Sequence, residues 1–294
     1  MKKILTVLTI IAGVFAFTAC EERDEVTLAS KPMPEQYVLA QIMIELIESE
    51  TDISVDYRSG IGGGTNNIHP GMVEGQFDIY PEYTGTGWME VLREDLIRDP
   101  DALTEAVREA YREEFDIEWL ELYGFNNTYG LAMKEDKADE MGIETYSDLA
   151  EKADDLHFAA EYDFFEREDG MIGLEAAYGL EFGENSELET GLKYTAIGDD
   201  EVDVINVWST DGRLKEYDLR LLEDDEDFFP SYYAATLIRQ ETLEEYPELE
   251  DVLNILGGRI DNETITAINY RVEVDNDDPY QVAMDFIESE GLLD

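Results

Sequence analysis

The first part of the chain alternates between strand-like and helix-like patterns of hydrophobic residues. A buried strand is predicted at residues 26–30, and apolar residues at helical spacing follow from residue 35 onward. Residues 53–57 alternate like a second strand, and residues 77–80 indicate a third after a glycine run and a short helix near residue 71. This β-α-β-α-β order predicts a first α/β domain built on parallel strands.

A second alternating series begins near residue 129, after an amphipathic helix predicted at residues 101–115. Because the alternation starts again, the pattern predicts a second α/β domain. The remaining predicted strands are residues 129–133, 156–160, 202–208 and 232–238, and the remaining predicted helices are residues 147–152, 174–180, 243–256, 264–272 and 280–290.

The composition adds a strong acidic bias to this pattern. Among 294 residues, 72 are acidic and 20 are basic, which gives a formal net charge of −52 and excludes nucleic-acid binding through a basic surface. With 44% hydrophobic residues, the chain still has the composition of a folded protein. Its self-repulsion fades only at roughly 1 M salt, where the screening length is about 3 Å, so the charge favours a halophilic source. The functional alternative is an acidic surface that mimics DNA or attracts cations over long distances, and an interaction protein whose acidic face docks a basic partner is a further possibility.

The N-terminal residues have the pattern of a targeting signal. Lys2 and Lys3 precede an apolar run at residues 4–17, which is shorter than the roughly 20 residues needed to span a bilayer. Cys20 follows two small residues, as in a bacterial lipoprotein signal. We therefore expect a signal peptide at residues 1–19, lipidation of Cys20, and an extracytoplasmic, membrane-anchored lipoprotein. An ordinary cleaved signal is the alternative. Cys20 is the only cysteine of the sequence, so no intramolecular disulfide can form.

The sequence contains no motif that makes a positive case for catalysis or for a cofactor. The glycine run at residues 62–64 lacks the spacing of a phosphate-binding loop, and His69 and His157 have no metal-ligand spacing. The acidic run at residues 224–227 lacks the spaced ligands and glycine of an EF-hand. We therefore predict no catalytic residue, no metal and no cofactor.

Four aromatic residues stand in polar, turn-like contexts instead of on apolar faces. They are Tyr83, Tyr129, Trp208 and Tyr232. Taken singly, each could be a core aromatic. Taken together, they suggest strand ends that face a cleft, which is where open α/β sheets bind ligands.

At these residues the chain resembles the glycine betaine/choline (quaternary ammonium) substrate-binding lipoproteins of ABC transporters. The most specific motifs are Glu-Tyr-Thr-Gly-Thr at residues 82–86 and Ser-Thr-Asp-Gly at residues 209–212. The resemblance covers nearly all of the mature chain, and its other segments are residues 30–36, 127–129, 165–170 and 269–272.

The resemblance implies a two-lobed periplasmic binding protein fold of type II-like organisation. Two α/β domains would flank a ligand cleft, and the chain would cross between them twice. Lobe one would contain residues 20–126 plus 231–294, and lobe two would contain residues 127–230. A ligand that touches both lobes favours the closed form, because it gains contacts only there.

The resemblance also implies how the ligand is recognised. A trimethylammonium group has no N–H to donate, whereas aromatic faces attract a diffuse cation and suit its methyl groups. Tyr83, Tyr129, Trp208 and Tyr232 would form this cage, although the position of Trp208 is usually tyrosine in such proteins. The ligand carboxylate would be held by Arg167, with help from Lys31 and the hydroxyl of Thr86. Zwitterions should then bind better than choline.

The expected function is that of a non-enzymatic receptor for glycine betaine or a related osmoprotectant. Its partners would be the small-molecule quaternary ammonium ligand, an ABC permease and that permease's ATPase, and the membrane through a lipid anchor on Cys20. A choline, carnitine or other compatible-solute receptor of the same fold is one alternative. A surface lipoprotein hydrolase that uses a carboxylate pair is an alternative of a different class.

Overall fold

The computed structural model describes residues 24–166 and 170–293, and within these ranges the strands form two five-stranded sheets. The strands are β1 (Glu25–Ala29), β2 (Ser54–Arg58), β3 (Ile79–Tyr83), β4 (Ile117–Asn126), β5 (Tyr129–Lys134), β6 (His157–Ala160), β7 (Glu184–Glu187), β8 (Val204–Trp208), β9 (Leu219–Leu221) and β10 (Tyr233–Arg239).

The α-helices cover the faces of the two sheets. They are α1 (Pro34–Glu50), α2 (Thr65–Val73), α3 (Thr84–Thr86), α4 (Pro100–Phe115), α5 (Glu135–Met141), α6 (Tyr146–Ala150), α7 (Tyr162–Glu166), α8 (Met171–Tyr178), α9 (Thr190–Gly198), α10 (Arg213–Glu216), α11 (Gln240–Glu245), α12 (Glu248–Asn254), α13 (Asn262–Glu273) and α14 (Pro279–Glu290). A π-helix at Gly87–Val91 and a 3₁₀ turn at Ala153–Asp155 complete the helical segments.

Both sheets are mixed. The first sheet has the order β2-β1-β3-β10-β4, with β1 parallel to β2 and β3 and with β10 antiparallel to β3 and β4. The second has the order β7-β6-β8-β5-β9, with β6 parallel to β7 and β8 and with β5 antiparallel to β8 and β9. The start of each antiparallel strand therefore meets the end of its parallel neighbour at one edge of the sheet, which is the edge that carries the site.

Helix α1 lies at the centre of the core of the first sheet. Pro34 occupies its first turn, where a missing N–H costs nothing. The residues at helical spacing in the sequence are buried as predicted, and they pack with residues from β1, β10, α12, α13 and α14. Burying this stripe holds the helix N-terminus, including the buried polar residues Glu35 and Gln36, at the edge of the sheet.

The structure contains elements that were not predicted, among them β7, β9, α5, α7, α9 and α10, and three other differences concern the first sheet and its helices. Strand β3 is Ile79–Tyr83 instead of residues 77–80, so Tyr83 ends a strand and does not lie in a turn. The single helix predicted at residues 243–256 is two helices, α11 and α12, because Pro247 lies between them. Strand β4 was not predicted, and its pairing with β10 contains register shifts that break strict alternation.

The chain passes from the first sheet to the second over residues 127–128 and returns between β9 and β10. The two crossovers lie side by side: the N–H of Asn127 donates to the carbonyl of Tyr232 at 3.1 Å, and the hydroxyl of Thr128 donates to the carbonyl of Pro230 at 2.9 Å. The strands of the first sheet come from residues before 127 and after 230, and those of the second sheet come from residues between these positions. Among the described residues, no helix is both long and apolar enough to cross a membrane.

Candidate functional site

A cavity of about 270 Å³ lies where the edges of the two sheets meet. The structure places six of the seven predicted ligand-binding residues in its wall: Lys31, Tyr83, Thr86, Tyr129, Trp208 and Tyr232. The seventh, Arg167, lies outside the described residues, as does Cys20. The cavity wall also contains Met33, Glu90 and Asn127, to which the sequence analysis assigned no role.

Tyr129 and Trp208 form one stacked pair. They are direct cross-strand partners, because Tyr129 begins β5 and Trp208 ends the antiparallel strand β8. Their ring centroids are 4.0 Å apart with an angle of 24° between the planes. Trp208 is nevertheless 44% exposed, which is unusual for so large an apolar side chain. The two rings therefore contribute a double wall to the cavity and leave no gap for a cation between them.

Neighbouring side chains fix the position of the Tyr83 ring and keep its hydroxyl protonated. It is 5% exposed, and its hydroxyl donates to Oε1 of Glu35 and accepts from Nε2 of Gln36 at 3.1 Å. Burial, reinforced by the Glu35 carboxylate, raises the pKa of Tyr83 well above its ordinary value. The phenol therefore stays neutral and acts as a fixed hydrogen-bond donor.

Tyr232 approaches Gly85 so closely that no other residue fits at position 85. A Cβ on Gly85 would lie 2.7 Å from the ring of Tyr232 and 2.6 Å from the carbonyl oxygen of Ser231. The N–H of Tyr232 donates to Oδ1 of Asn126 at 2.6 Å, which fixes the backbone beside the crossover. The glycine of the Glu-Tyr-Thr-Gly-Thr motif is thus explained by close packing against Tyr232.

Lys31 is paired inside the protein. Its ammonium group binds Oε1 of Glu82 and lies 4.6 Å from the ring centroid of Tyr83. The carboxylate of Glu82 is completely buried and also accepts hydrogen bonds from the hydroxyl of Thr65 at 2.7 Å and from that of Tyr80 at 3.0 Å. Since an ammonium group has three N–H donors, Lys31 keeps donors for a second acceptor in the cavity.

The glycine run forms a turn, and the two histidines contact neighbouring side chains of the protein. Gly63 and Gly64 adopt positive φ angles of 81° and 52°, and this turn leads into Thr65 at the start of α2. His69 packs edge-on against Phe115, with ring centroids 4.6 Å apart, and His157 lies 2.8 Å from the hydroxyl of Ser186. Over residues 24–166 and 170–293, no three acidic, histidine or cysteine side chains are grouped to hold a metal.

The acidic run at residues 224–227 forms a turn. The Asp224 carboxylate accepts hydrogen bonds from the N–H of Phe228 at 3.0 Å and from the N–H of Phe229 at 2.7 Å. The hydroxyl of Tyr178 donates to the same carboxylate at 2.5 Å. Asp224 therefore stabilises the backbone conformation of the crossover segment between β9 and β10.

A cluster of charged residues lies beside the cavity, where α13 meets the segment that follows β8. The Asp211 carboxylate binds the guanidinium of Arg213 at 3.0 Å and accepts from the hydroxyl of Tyr194 at 2.7 Å. Burial and the neighbouring Asp211 carboxylate raise the pKa of Glu273 from 4.5 to about 7; Glu35 adds to this effect and Arg213 opposes it. Glu273 is therefore partly protonated near neutral pH.

Sequence reasoning missed Met33, Glu90 and Asn127 for different reasons. Met33 and Asn127 belong to the segments 30–36 and 127–129 that carried the resemblance, so their motif membership was an available signal. Glu90 is one of 72 acidic residues in the chain, and so many carboxylates make any one of them uninformative. Only the π-helix Gly87–Val91 brings Glu90 to the cavity.

Most of the chain is similar to proteins of known function. The family model described as the substrate binding domain of ABC-type glycine betaine transport systems matches residues 24–289. A solved structure of a glycine betaine/carnitine/choline ABC transporter superposes with a TM-score of 0.88 at 30% identity, covering 92% of this chain and 100% of that one. The predicted two-lobed α/β fold class is thereby confirmed.

Two relatives in sequence have named ligands. The ergothioneine transport permease/ergothioneine binding protein of Helicobacter pylori is 42% identical over 92% of this chain and 48% of its own length, so the chain spans about half of that protein. The carnitine transport binding protein of Listeria monocytogenes is 33% identical, over 92% of this chain and 89% of its own length.

We expect Glu273→Gln to flatten the dependence of protein stability on pH. Because folding raises the pKa of Glu273 to about 7, the folded chain binds this proton more tightly than the unfolded chain, so the free energy of unfolding rises as pH falls through 7. Denaturant unfolding at constant high salt, at about pH 8 and about pH 6, should show a smaller change for Glu273→Gln than for the wild type.

The control for this variant is Glu263→Gln, on an exposed position of the same helix α13. It should retain the pH response of the wild type. Equal pH responses of Glu273→Gln and the wild type would contradict the assignment to Glu273.

Proposed function

Because the chain belongs to the family of substrate-binding domains of ABC-type glycine betaine transport systems, we propose that its cavity binds the trimethylammonium group of a zwitterionic osmoprotectant. The protein is a substrate-binding component of an ABC transporter for glycine betaine, carnitine or related quaternary ammonium compounds. Substrate-binding proteins of ABC importers are extracytoplasmic and deliver their ligand to a permease.

The observation that carries the proposal is the convergence of aromatic rings from both sheets on one cavity. Trp208 ends β8 and Tyr129 begins β5, both in the second sheet. Tyr83 ends β3 of the first sheet. A volume of about 270 Å³ is slightly below the range of about 300–1,000 Å³ that is usual for drug-sized ligands, and it suits a small metabolite.

We assign different parts to three of the four rings. The accessible surface of Trp208, backed by Tyr129, offers the cation a face that is worth about 0.5–2 kcal/mol. Tyr83 shares its ring with the Lys31 ammonium, so it contributes an apolar wall and a fixed hydroxyl. The exposed carboxylate of Glu90 adds a negative charge to the cavity that favours a cation.

The carboxylate of the ligand is assigned to the remaining N–H donors of Lys31 and the hydroxyl of Thr86. Both residues line the cavity, and the ion pair of Lys31 with Glu82 leaves N–H donors of its charged ammonium group for the ligand. A carboxylate buried without donors would be strongly unfavourable, so a charged donor at this place selects zwitterions over choline. Arg167 keeps the role that the resemblance implies for it.

The second candidate for the ligand is a compound that has a hydrogen-bond donor as well as a trimethylammonium group. Asn127 is buried in the cavity wall, and within the described part of the chain its Oδ1 accepts no hydrogen bond. Glycine betaine has no donor to offer this oxygen, whereas carnitine has a hydroxyl and ergothioneine has an imidazole N–H. Calorimetric titration of the wild type with all three compounds and with choline separates these possibilities.

The ligand is proposed to leave the site unchanged, since the relatives are transport binding proteins and not enzymes. Chromatography of the bound compound after prolonged incubation measures this. Recovery of a hydrolysis product would instead support the surface hydrolase alternative.

Trp208→Ala should weaken the binding of glycine betaine or its preferred analogue by about 2- to 30-fold, which corresponds to the loss of one cation–π contact. Trp208→Tyr should retain most of the affinity, because it keeps an aromatic face. Calorimetry in high salt measures both variants.

Tyr280→Ala is the matched control, because Tyr280 is 46% exposed on α14 and is not among the residues that line the cavity. It should bind like the wild type. Unchanged affinity of Trp208→Ala would remove the stacked pair from the proposed site.

Lys31→Met should weaken glycine betaine binding more than choline binding. A hydrogen bond to a charged group is worth about 1.5–3 kcal/mol, and only betaine has the carboxylate that Lys31 would hold. The double variant Lys31→Met/Glu82→Gln removes the buried charge that the single variant leaves unpaired, so it separates lost stability from lost recognition. Equal losses for both ligands in both variants would show that Lys31 does not contact the carboxylate.

Anchoring through a lipidated Cys20 is proposed from the sequence alone. When it is expressed in a bacterium, the full chain should fractionate with membranes. Cys20→Ser should release the protein into the soluble extracytoplasmic fraction, because the lipid that is linked to the Cys20 sulfur is lost. Mass spectrometry of the N-terminal peptide measures the modification. An unmodified Cys20 in membrane-associated protein would contradict the proposal.

A further inference from the structure

The carboxylate of Glu35 gathers four side-chain hydrogen bonds at the start of α1. Glu35 is 2% exposed. Its Oε1 accepts from the hydroxyl of Tyr83 and from Nδ2 of Asn127 at 2.8 Å. Its Oε2 accepts from the hydroxyl of Thr210 at 3.0 Å and from Nδ2 of Asn269 at 3.1 Å. Both oxygens of this buried group are thereby satisfied.

These four donors come from four different segments of the chain. Tyr83 ends β3, and Asn269 lies on α13, both packed with the first sheet. Asn127 lies at the crossover, whereas Thr210 follows β8 of the second sheet, two positions after Trp208. The Thr210 bond therefore connects Glu35 to the second lobe beyond the crossover residue Asn127, at the segment that follows β8.

Neighbouring contacts seat the same segment of the second lobe on α13. Nδ2 of Asn269 also donates to the backbone carbonyl of Thr210 at 2.7 Å. A Cβ on Gly212 would lie 2.4 Å from the backbone nitrogen of Tyr270, so only glycine allows this approach. Residues 209–212 and 269–272 are thus in direct contact.

The arrangement links the two walls of the cavity. On one side, Glu35 holds the hydroxyl of Tyr83; on the other side, it holds the residue two positions beyond Trp208. Thr210 follows a strand of the second sheet and Tyr83 ends a strand of the first, so a separation of the two sheets would break the Thr210 bond and spare the Tyr83 bond. A bond that exists in only one of two states shifts the equilibrium toward that state.

We propose that Glu35 is a positioning residue that stabilises the closed arrangement of the lobes by accepting the Thr210 hydroxyl, and thereby strengthens ligand binding without touching the ligand. This inference rests on the proposed function, since it concerns the affinity of the same cavity. The apparent dissociation constant varies inversely with the fraction of protein in the binding-competent state, so weaker closure appears as weaker binding.

The test compares Thr210→Val with the wild type. Valine keeps the shape of threonine and removes only the hydroxyl. Loss of a hydrogen bond to a charged acceptor should weaken binding of the preferred quaternary ammonium compound by about tenfold. The loss of affinity should appear mainly as faster dissociation of the ligand. Stopped-flow tryptophan fluorescence measures this dissociation rate. Thr210→Ser should restore the affinity.

A double-mutant cycle separates this coupling from a general loss of stability. Glu35→Gln should weaken binding, and adding Thr210→Val to it should cost little more, because the shared bond is already perturbed. Thr266→Val removes a hydroxyl that bonds within α13 and should leave affinity unchanged. Small-angle scattering at a fixed subsaturating ligand concentration should show a larger radius of gyration for Thr210→Val than for the wild type.

The outcomes distinguish the two proposals. If the wild type binds none of the quaternary ammonium compounds, the proposed function fails, and the role of Glu35 fails with it. If the wild type binds but Thr210→Val has the same affinity and dissociation rate, only the role of Glu35 is overturned. Additive losses in the double variant would likewise overturn the coupling through their shared bond.

Discussion

Buried carboxylates in this protein must find hydrogen-bond donors, and this requirement organises the site. Glu35 and Glu82 are both buried, at 2% and 0% exposure, in a chain whose formal net charge is −52. An unpaired buried charge would cost several kcal/mol, so each carboxylate holds its donors in place. Through Glu82 the position of Lys31 is set, and through Glu35 the hydroxyl of Tyr83 is set.

The same constraint separates the groups that shape the cavity from the groups that face it. Lys31 and Tyr83 have part of their bonding capacity used inside the protein, which makes them rigid parts of the wall. Trp208 keeps a large accessible surface because Tyr129 supports only one of its faces. A cation that cannot donate a hydrogen bond is suited to such an aromatic surface, and a carboxylate is suited to the donors of Lys31.

Much of the site was predictable because its residues stand at ends of strands. The antiparallel strands β5 and β10 bring Tyr129 beside Trp208 and Tyr232 beside the end of β3, so positions far apart in sequence share one edge. The prediction did not anticipate that two rings would stack on each other. Nor did it anticipate the Lys31–Glu82 pair, since any of many acids could have been the partner.

The sequence by itself determined the α/β class, the amphipathic face of α1 and the aromatic residues with polar neighbours, because these properties depend on local spacing and composition. The tertiary structure alone decided which donors meet Glu35, since Asn269 lies 234 positions away and Thr210 lies 175 positions away. Hydrogen bonds over such separations follow from how sheets and helices pack. Local pattern carries no information about that packing, so the meeting of the two lobes at one carboxylate could be found only in the folded molecule.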